Sequence, residues 1–244
     1  MGHVALVIPA WNEAEAIGAV LSEVPPGTVD RVVVVVGGPG DPTASVARAH
    51  GAEVLVQPRP GYGAACWTGA SAALDAGADV VAFLDGDYSD PPAELPRVLE
   101  PIRAGQADLV LGCRDLSQHP EALPRHAQLG NRLVLGALRV LLGSRSFADL
   151  PSFKAIRADT LRQLEMREAT YGWSVEMLVK AARADLRIAE VAVAYRPRLG
   201  GRSKVSGSLR GTLGAAWKLG SCAVVYAGWR PTGRSRWQVA ARGG

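Results

Sequence analysis

The sequence predicts an α/β fold with a mostly parallel central sheet covered by helices on both faces, and three observations carry the prediction. Over the first 112 residues, short apolar runs alternate with helical patterns at the spacing of right-handed strand–helix–strand units. The second apolar run holds five consecutive valines, Val32 to Val36, as expected of a central strand buried on both faces. A length of 244 residues is enough for one large domain with a proper core.

The elements follow in order. Strands are predicted at 4–8, 31–36, 53–56, 80–84 and 109–111, with helices at 13–23, 42–49, 63–76 and 91–104 between them. Asn12 is positioned to cap the first helix, with Glu13 near its positive end. Gly37-Gly38-Pro39-Gly40-Asp41 closes the second strand and Gly61-Tyr62-Gly63 precedes the third helix. Each brings backbone N–H groups toward the same sheet edge, or forms only a tight turn. After Gly112 the alternation loosens. A polar loop at 113–125 holds Pro120 and Pro124, followed by a helix at 126–142, a strand at 152–156, a helix at 173–183 and a strand at 186–195. A second loop, basic and glycine-containing, spans 196–206, and both long loops can overhang the strand ends. An apolar helix at 207–230 and a basic, disordered tail at 231–244 complete the chain.

Composition excludes several function classes. Hydrophobic residues make up 48% and charged residues 20%, as in ordinary globular proteins. The net charge of +4 is concentrated, since every charged residue from Arg196 onward is Lys or Arg. That end suits phosphate-rich ligands or anionic lipid surfaces, or is simply a solvated tail. Few aromatics and no basic–aromatic interleaving argue against nucleic acid. Cys66, Cys113 and Cys222 share no metal-like spacing, and their odd number points to a reducing compartment, so a cytoplasmic location is expected. Val4 to Ile8 is too short for a signal peptide, and Lys218 with several glycines makes 211–229 a poor membrane span. A packed or interfacial helix is the expectation there.

The chemistry centres on Phe83-Leu84-Asp85-Gly86-Asp87. Carboxylates at the C-terminal end of a buried strand face the crevice where open α/β sheets bind ligands. Asp85 and Asp87 alternate to the same side, and Gly86 lets a ligand approach the backbone. Two hard oxygen donors suit Mg²⁺ or Mn²⁺, with substrate phosphates and water completing the shell. The alternative is a strand-ending turn in which the aspartates cap the helix at Pro91. At the first strand's end, Pro9, Trp11 and Glu13 could stack on and hydrogen-bond a nucleobase.

Taken together, Val7-Ile8-Pro9-Ala10-Trp11-Asn12-Glu13, Gly61-Tyr62-Gly63-Ala64-Ala65 and Phe83-Leu84-Asp85-Gly86-Asp87 resemble the family 2 glycosyltransferases of the GT-A type. The resemblance is closest to the polyprenyl-phosphate (dolichol-phosphate) mannosyltransferase branch. It continues through Leu111-Gly112-Cys113-Arg114, 149–156, Tyr171-Gly172-Trp173-Ser174-Val175-Glu176-Met177 and Ser203-Lys204-Val205-Ser206-Gly207, covering roughly residues 4 to 210. It implies a single GT-A catalytic domain over 1–206, with a nucleotide-sugar half at 1–112 and an acceptor half at 113–206. Pro9, Trp11 and Glu13 would hold the base and ribose of a nucleotide sugar such as GDP-mannose or UDP-glucose. Asp85 and Gly86 would meet the donor, Asp87 would be the principal metal ligand, and transfer would invert the anomeric centre. Arg114, Arg125, Arg202, Ser203 and Lys204 are the candidates for placing an acceptor phosphate; for Arg125 a solvated loop charge is the competing reading. Glu176 resembles the acidic position that acts as base on hydroxyl acceptors, or else it partners a basic residue. Trp173 lines a sugar or lipid slot, or the core.

Two positions depart from the family pattern. Val36 stands where an aspartate usually helps bind base or ribose, leaving Asp41 as a substitute, and Cys113 replaces a usual serine. The expected acceptor is a polyprenyl phosphate reached by peripheral membrane contact. A soluble small molecule or phosphorylated metabolite is the alternative acceptor, and a non-catalytic nucleotide-binding subunit the alternative in kind.

Overall fold

The computed structural model describes residues 2–143, 147–200 and 219–231. Seven strands form one sheet: β1 (Val4–Ala10), β2 (Arg31–Val36), β3 (Glu53–Val56), β4 (Val80–Phe83), β5 (Leu109–Asp115), β6 (Lys154–Arg157) and β7 (Ile188–Ala194). The order is β3-β2-β1-β4-β6-β5-β7. β2 and β4 run parallel to β1, β3 parallel to β2, and β7 parallel to β5. Only β6 is reversed, pairing antiparallel with both β4 and β5. The predicted parallel sheet is therefore present with one strand inserted against its direction.

The helices are α1 (Ile17–Ser22), α2 (Thr43–Ala49), α3 (Tyr62–Asp75), α4 (Leu95–Arg103), α5 (Arg125–Leu142), α6 (Ala158–Leu164) and α7 (Trp173–Arg183). One face of the sheet packs against α3, α6 and α7, the other against α1, α2 and α4. The valine run shows why both faces must be covered: Val33 and Val35 enter the first core, Val34 and Val36 the second. Each buried valine contributes roughly 1.5–3 kcal/mol. A third, smaller core joins α5, α7 and residues 219–226. Residues 219–227 are helical; the remainder of the predicted 207–230 helix and the tail beyond 231 lie outside the described residues.

Three local expectations need correction. Asn12 does not cap α1, which starts at Ile17; it adopts a left-handed φ of 55° and donates its N–H to Asp41. The N-terminus of α3 is not open to a phosphate, because the Gly63 and Ala64 N–H groups donate to the Thr170 and Ala169 carbonyls. A side chain at Gly63 would strike that backbone, so glycine is what lets the two segments meet. α6 was not expected; it follows β6 with no intervening turn residue. Among the described residues no helix is long and apolar enough to cross a membrane.

Candidate active site

The C-terminal ends of β1, β2 and β4 open into a cleft of about 640 Å³, at the edge where parallel α/β sheets present ligands. Its first wall comes from β1 and the turn after it: Pro9, Trp11 and Glu13 all line the cleft. Trp11 is 56% exposed, and its indole lies against Gly37, where any side chain would collide with the ring. Val35, Gly37 and Gln57 complete this wall. The strand's alternation turns Val36 away from the cleft into the opposite core, fully buried. Asp41 does not take over its expected role. Its carboxylate accepts N–H groups from Asn12 (3.1 Å) and Thr43 (3.0 Å), is buried, and is absent from the cleft lining. Those hydrogen bonds and the Thr43 hydroxyl outweigh burial and hold it below the usual carboxylate range. It ties two βα turns together.

The turn after β4 supplies the acidic centre. Asp85, Gly86 and Asp87 line the cleft, and Asp90 lies behind them. Burial, with Asp87 and Asp90 close by, pushes Asp85 up to about 7. Burial likewise raises Asp90 to about 6, against a Ser152 hydroxyl bond of 2.7 Å. Tyr62 lies beside Asp85, and burial, with that carboxylate close by, lifts its phenol well above its ordinary value. Asp85 Oδ1 is buried with no hydrogen-bond partner among the described residues. Asp87 is almost fully buried; Oδ1 accepts the Ser89 N–H (2.9 Å) and hydroxyl (2.6 Å), while Oδ2 holds the Arg198 guanidinium at 2.6 Å. The turn-only reading of Asp87 thus describes one of its oxygens, and the other already faces a cation. The loop after β7 is fastened to this turn, Arg196 N–H donating to the Ser89 carbonyl and Leu199 N–H to the Asp87 carbonyl.

The second wall carries the predicted acceptor residues unequally. Arg114, at the end of β5, lines the cleft, but its guanidinium is forked onto Asp149, which also accepts from Asn131 at 2.7 Å. The charge is present at the site with its orientation fixed. Tyr195 packs beside it, the guanidinium carbon 5.5 Å from the ring centre. Arg125 opens α5, is exposed and does not line the cleft. Arg202, Ser203 and Lys204 lie outside the described residues. Glu176 is misplaced for a base. It is completely buried, bridges Lys180 at 2.7 Å, and accepts the N–H groups of Arg167 (2.8 Å) and Glu168 (2.7 Å). The structure assigns it to the interior, the alternative raised from sequence. Trp173 is likewise core, packed against Trp67 and Phe83.

Sequence reasoning missed Arg198, Tyr62 and Lys154. Lys154 on β6 is buried, donates to the Ser174 hydroxyl at 2.6 Å, and is lowered to about 8 by burial against the pull of Asp85, Asp90 and other anions nearby. Tyr62 was visible only as the middle of a glycine turn. Arg198 was one charge in a basic loop with no periodicity to single it out.

The donor set fits a hard divalent cation: two carboxylates one residue apart, one with an unsatisfied buried oxygen. Among the described residues no group of three or more His, Cys, Asp or Glu could hold a metal alone. A cation here would need ligand phosphates and water to complete its shell, the usual Mg²⁺ arrangement at nucleotide sites.

Comparison with known proteins agrees with this geometry. Residues 5–164 match the family model described as glycosyl transferase family 2. An uncharacterized glycosyltransferase of Mycobacterium tuberculosis is 39% identical over 222 residues, covering 88% of this chain and 97% of the relative. A dolichyl-phosphate hexose transferase of Haloferax volcanii is 35% identical over 197 residues, 80% of this chain and 84% of that one. The crystal structure of glucosyl-3-phosphoglycerate synthase from Mycobacterium tuberculosis, in complex with Mn²⁺, UDP-glucose and phosphoglyceric acid, aligns with a TM-score of 0.74 at 25% identity, over 95% of this chain and 82% of that one. With its mostly parallel sheet and its aspartate pair at the strand ends, this chain belongs to the family 2 glycosyltransferases.

Proposed function

We propose that this glycosyltransferase moves a hexose from a nucleotide sugar to a polyprenyl phosphate with inversion at the anomeric carbon. One observation carries the reading: the cleft is lined by Asp85 and Asp87 together with Arg114 and Arg198, and its lining after Gly112 adds the apolar Leu123, Ala127, Leu150, Val175 and Leu219. The charged groups suit two phosphates, and the apolar ones suit a prenyl chain.

Trp11 would stack on the base, with Pro9 and Glu13 beside it and Gln57 offering an amide to the base edge. A divalent cation, Mg²⁺ or Mn²⁺, held by Asp87 with Asp85 at its side would neutralise the donor diphosphate and improve the leaving group. Arg198, whose guanidinium holds Asp87 at 2.6 Å, would also meet a donor phosphate placed beside that carboxylate. Arg114, locked by Asp149, would fix the acceptor phosphate. The acceptor oxygen forms the new bond to the anomeric carbon as the bond to the diphosphate breaks, the electron pair leaving with the nucleoside diphosphate. A phosphate monoester is already largely dianionic near neutral pH, so no side-chain base is needed. The burial of Glu176 away from the cleft accords with that.

A second reading keeps the chemistry and places a soluble phosphorylated acceptor in the same position. It is favoured by the glucosyl-3-phosphoglycerate synthase structure with bound phosphoglyceric acid. The test offers UDP-glucose and GDP-mannose with either a short-chain prenyl phosphate or 3-phosphoglycerate, with products identified by mass spectrometry. A hexosyl prenyl phosphate is expected. Product with 3-phosphoglycerate alone would transfer the assignment to the soluble acceptor.

A further inference from the structure

We propose that the outer face of α5, with the adjoining helix at 219–227, is a docking surface for an anionic lipid bilayer. Among the described residues eight large apolar side chains are exposed, and five of them, Leu129, Leu133, Val140, Val224 and Val225, lie on these two helices. They are 58% to 84% exposed. That concentration is not the scattered exposure normal on a soluble surface.

Their placement is regular. At 100° per residue, Leu129, Leu133 and Val140 fall within roughly 40° of one another around α5. The same helix buries Val134 and Leu138 on its inner side, against Val175 and Val179 of α7 and Cys222 and Ala223 of the neighbouring helix. α5 therefore has one apolar stripe satisfied by the core and another turned outward. Beside the outer stripe run Arg125, Arg132 and Arg139, all exposed and within a further arc of roughly 40°. Neither α5 nor residues 219–231 contain an aspartate or glutamate.

Charge selects the occupant. A second copy docked through the same face would bring arginine rows together with no acid on either helix to receive them. Anionic headgroups match them, with the apolar stripe entering the acyl boundary and the arginine stems lying along it. The same two helices reach the cleft by other residues: Ala127, Gly130 and Asn131 of α5 and Leu219 of the other helix line it, on turns of α5 that point away from the outer stripe. A bilayer held by the outer stripe would keep a lipid-borne acceptor near the cleft. This meaning rests on the polyprenyl-phosphate reading, whereas the surface itself rests on exposure and charge.

The test is co-sedimentation of the full chain with phosphatidylcholine vesicles, with and without phosphatidylglycerol. Binding is expected only when the anionic lipid is present. Leu133→Glu/Val140→Glu should weaken it at least tenfold, and Arg132→Gln and Arg139→Gln about fivefold each, equivalent to ~1 kcal/mol per charge. These exposed positions should leave nucleotide-sugar turnover unchanged. Absence of binding to anionic vesicles, equal binding by the variants, or a dimer in light scattering that Leu133→Glu dissolves would each overturn the proposal. The acceptor reading fails separately: vesicle binding without transfer to a water-soluble prenyl phosphate would leave the surface standing and remove its purpose.

Discussion

The two halves of the cleft place their charged groups in opposite ways. On the side built by β1, β2 and β4, side chains hang from the ends of strands buried on both faces. Trp11 is more than half exposed, and Asp85 keeps a buried oxygen without a partner among the described residues. On the side built after Gly112, charges are paired within the chain. Arg114 is forked onto Asp149, Arg196 onto Glu23, and Lys180 is bound by Glu176 and capped by the Tyr226 and Trp229 rings at 5.1 and 5.3 Å. Arg198 joins the halves through Asp87. The contrast separates a carboxylate with an oxygen left over from charges, Arg114 among them, whose orientation a partner in the chain has already fixed. A charged motif residue reveals nothing about its role until its partner is known.

The largest expected break in this comparison is Glu176→Ala. It would strand a fully buried ammonium and free two N–H groups, costing about 3–5 kcal/mol. Thermal unfolding would show the loss, while the donor KM of the folded fraction should stay unchanged. A raised donor KM with unchanged stability would return Glu176 to the site.

Trp11→Ala should do the reverse. Loss of base stacking is worth about 1–3 kcal/mol, or roughly tenfold in donor KM, with little change in melting temperature because the ring is exposed. A melting-temperature fall with unaltered KM would make Trp11 a cover for Gly37 and nothing more.

The smallest effect is a pH dependence. Asp85 is raised to about 7 from an ordinary 3.8, so between those values the folded chain holds a proton that the unfolded chain has lost. That stabilising contribution is complete below about pH 4 and is lost as pH rises through 7. Metal requires the ionised carboxylate, so Mn²⁺ should raise the melting temperature more at about pH 8 than at about pH 5. An equal rise at both would take Asp85 out of the metal site.

The legible part of the molecule was the part governed by periodicity. Five valines gave β2, and an apolar run stopped by Asp85 gave β4 and the acidic turn. β6 could not be read as reversed, because strand direction is set by the path of the chain through α5 and not by strand composition. α6 was hidden since Arg157 ends β6 and Ala158 begins the helix with no turn residue between. Glu176 misled because a motif does not reveal which face of a helix is buried. Its spacing to Lys180, four residues on, did carry the signal of a helical ion pair. Asp41 was read as a ligand for want of an aspartate at Val36, although β2 turns that position away from the cleft.

The central claim is that Asp87 serves a metal-bound diphosphate and not merely the turn it sits in. Release of nucleoside diphosphate from UDP-glucose and GDP-mannose, with Mn²⁺ or with EDTA, tests it on wild type and Asp87→Ala. Wild type should turn over one donor with Mn²⁺ and lose that turnover in EDTA, and Asp87→Ala should be at least about a hundredfold slower with Mn²⁺ present. Turnover insensitive to EDTA, or an Asp87→Ala protein as fast as wild type, would contradict the account.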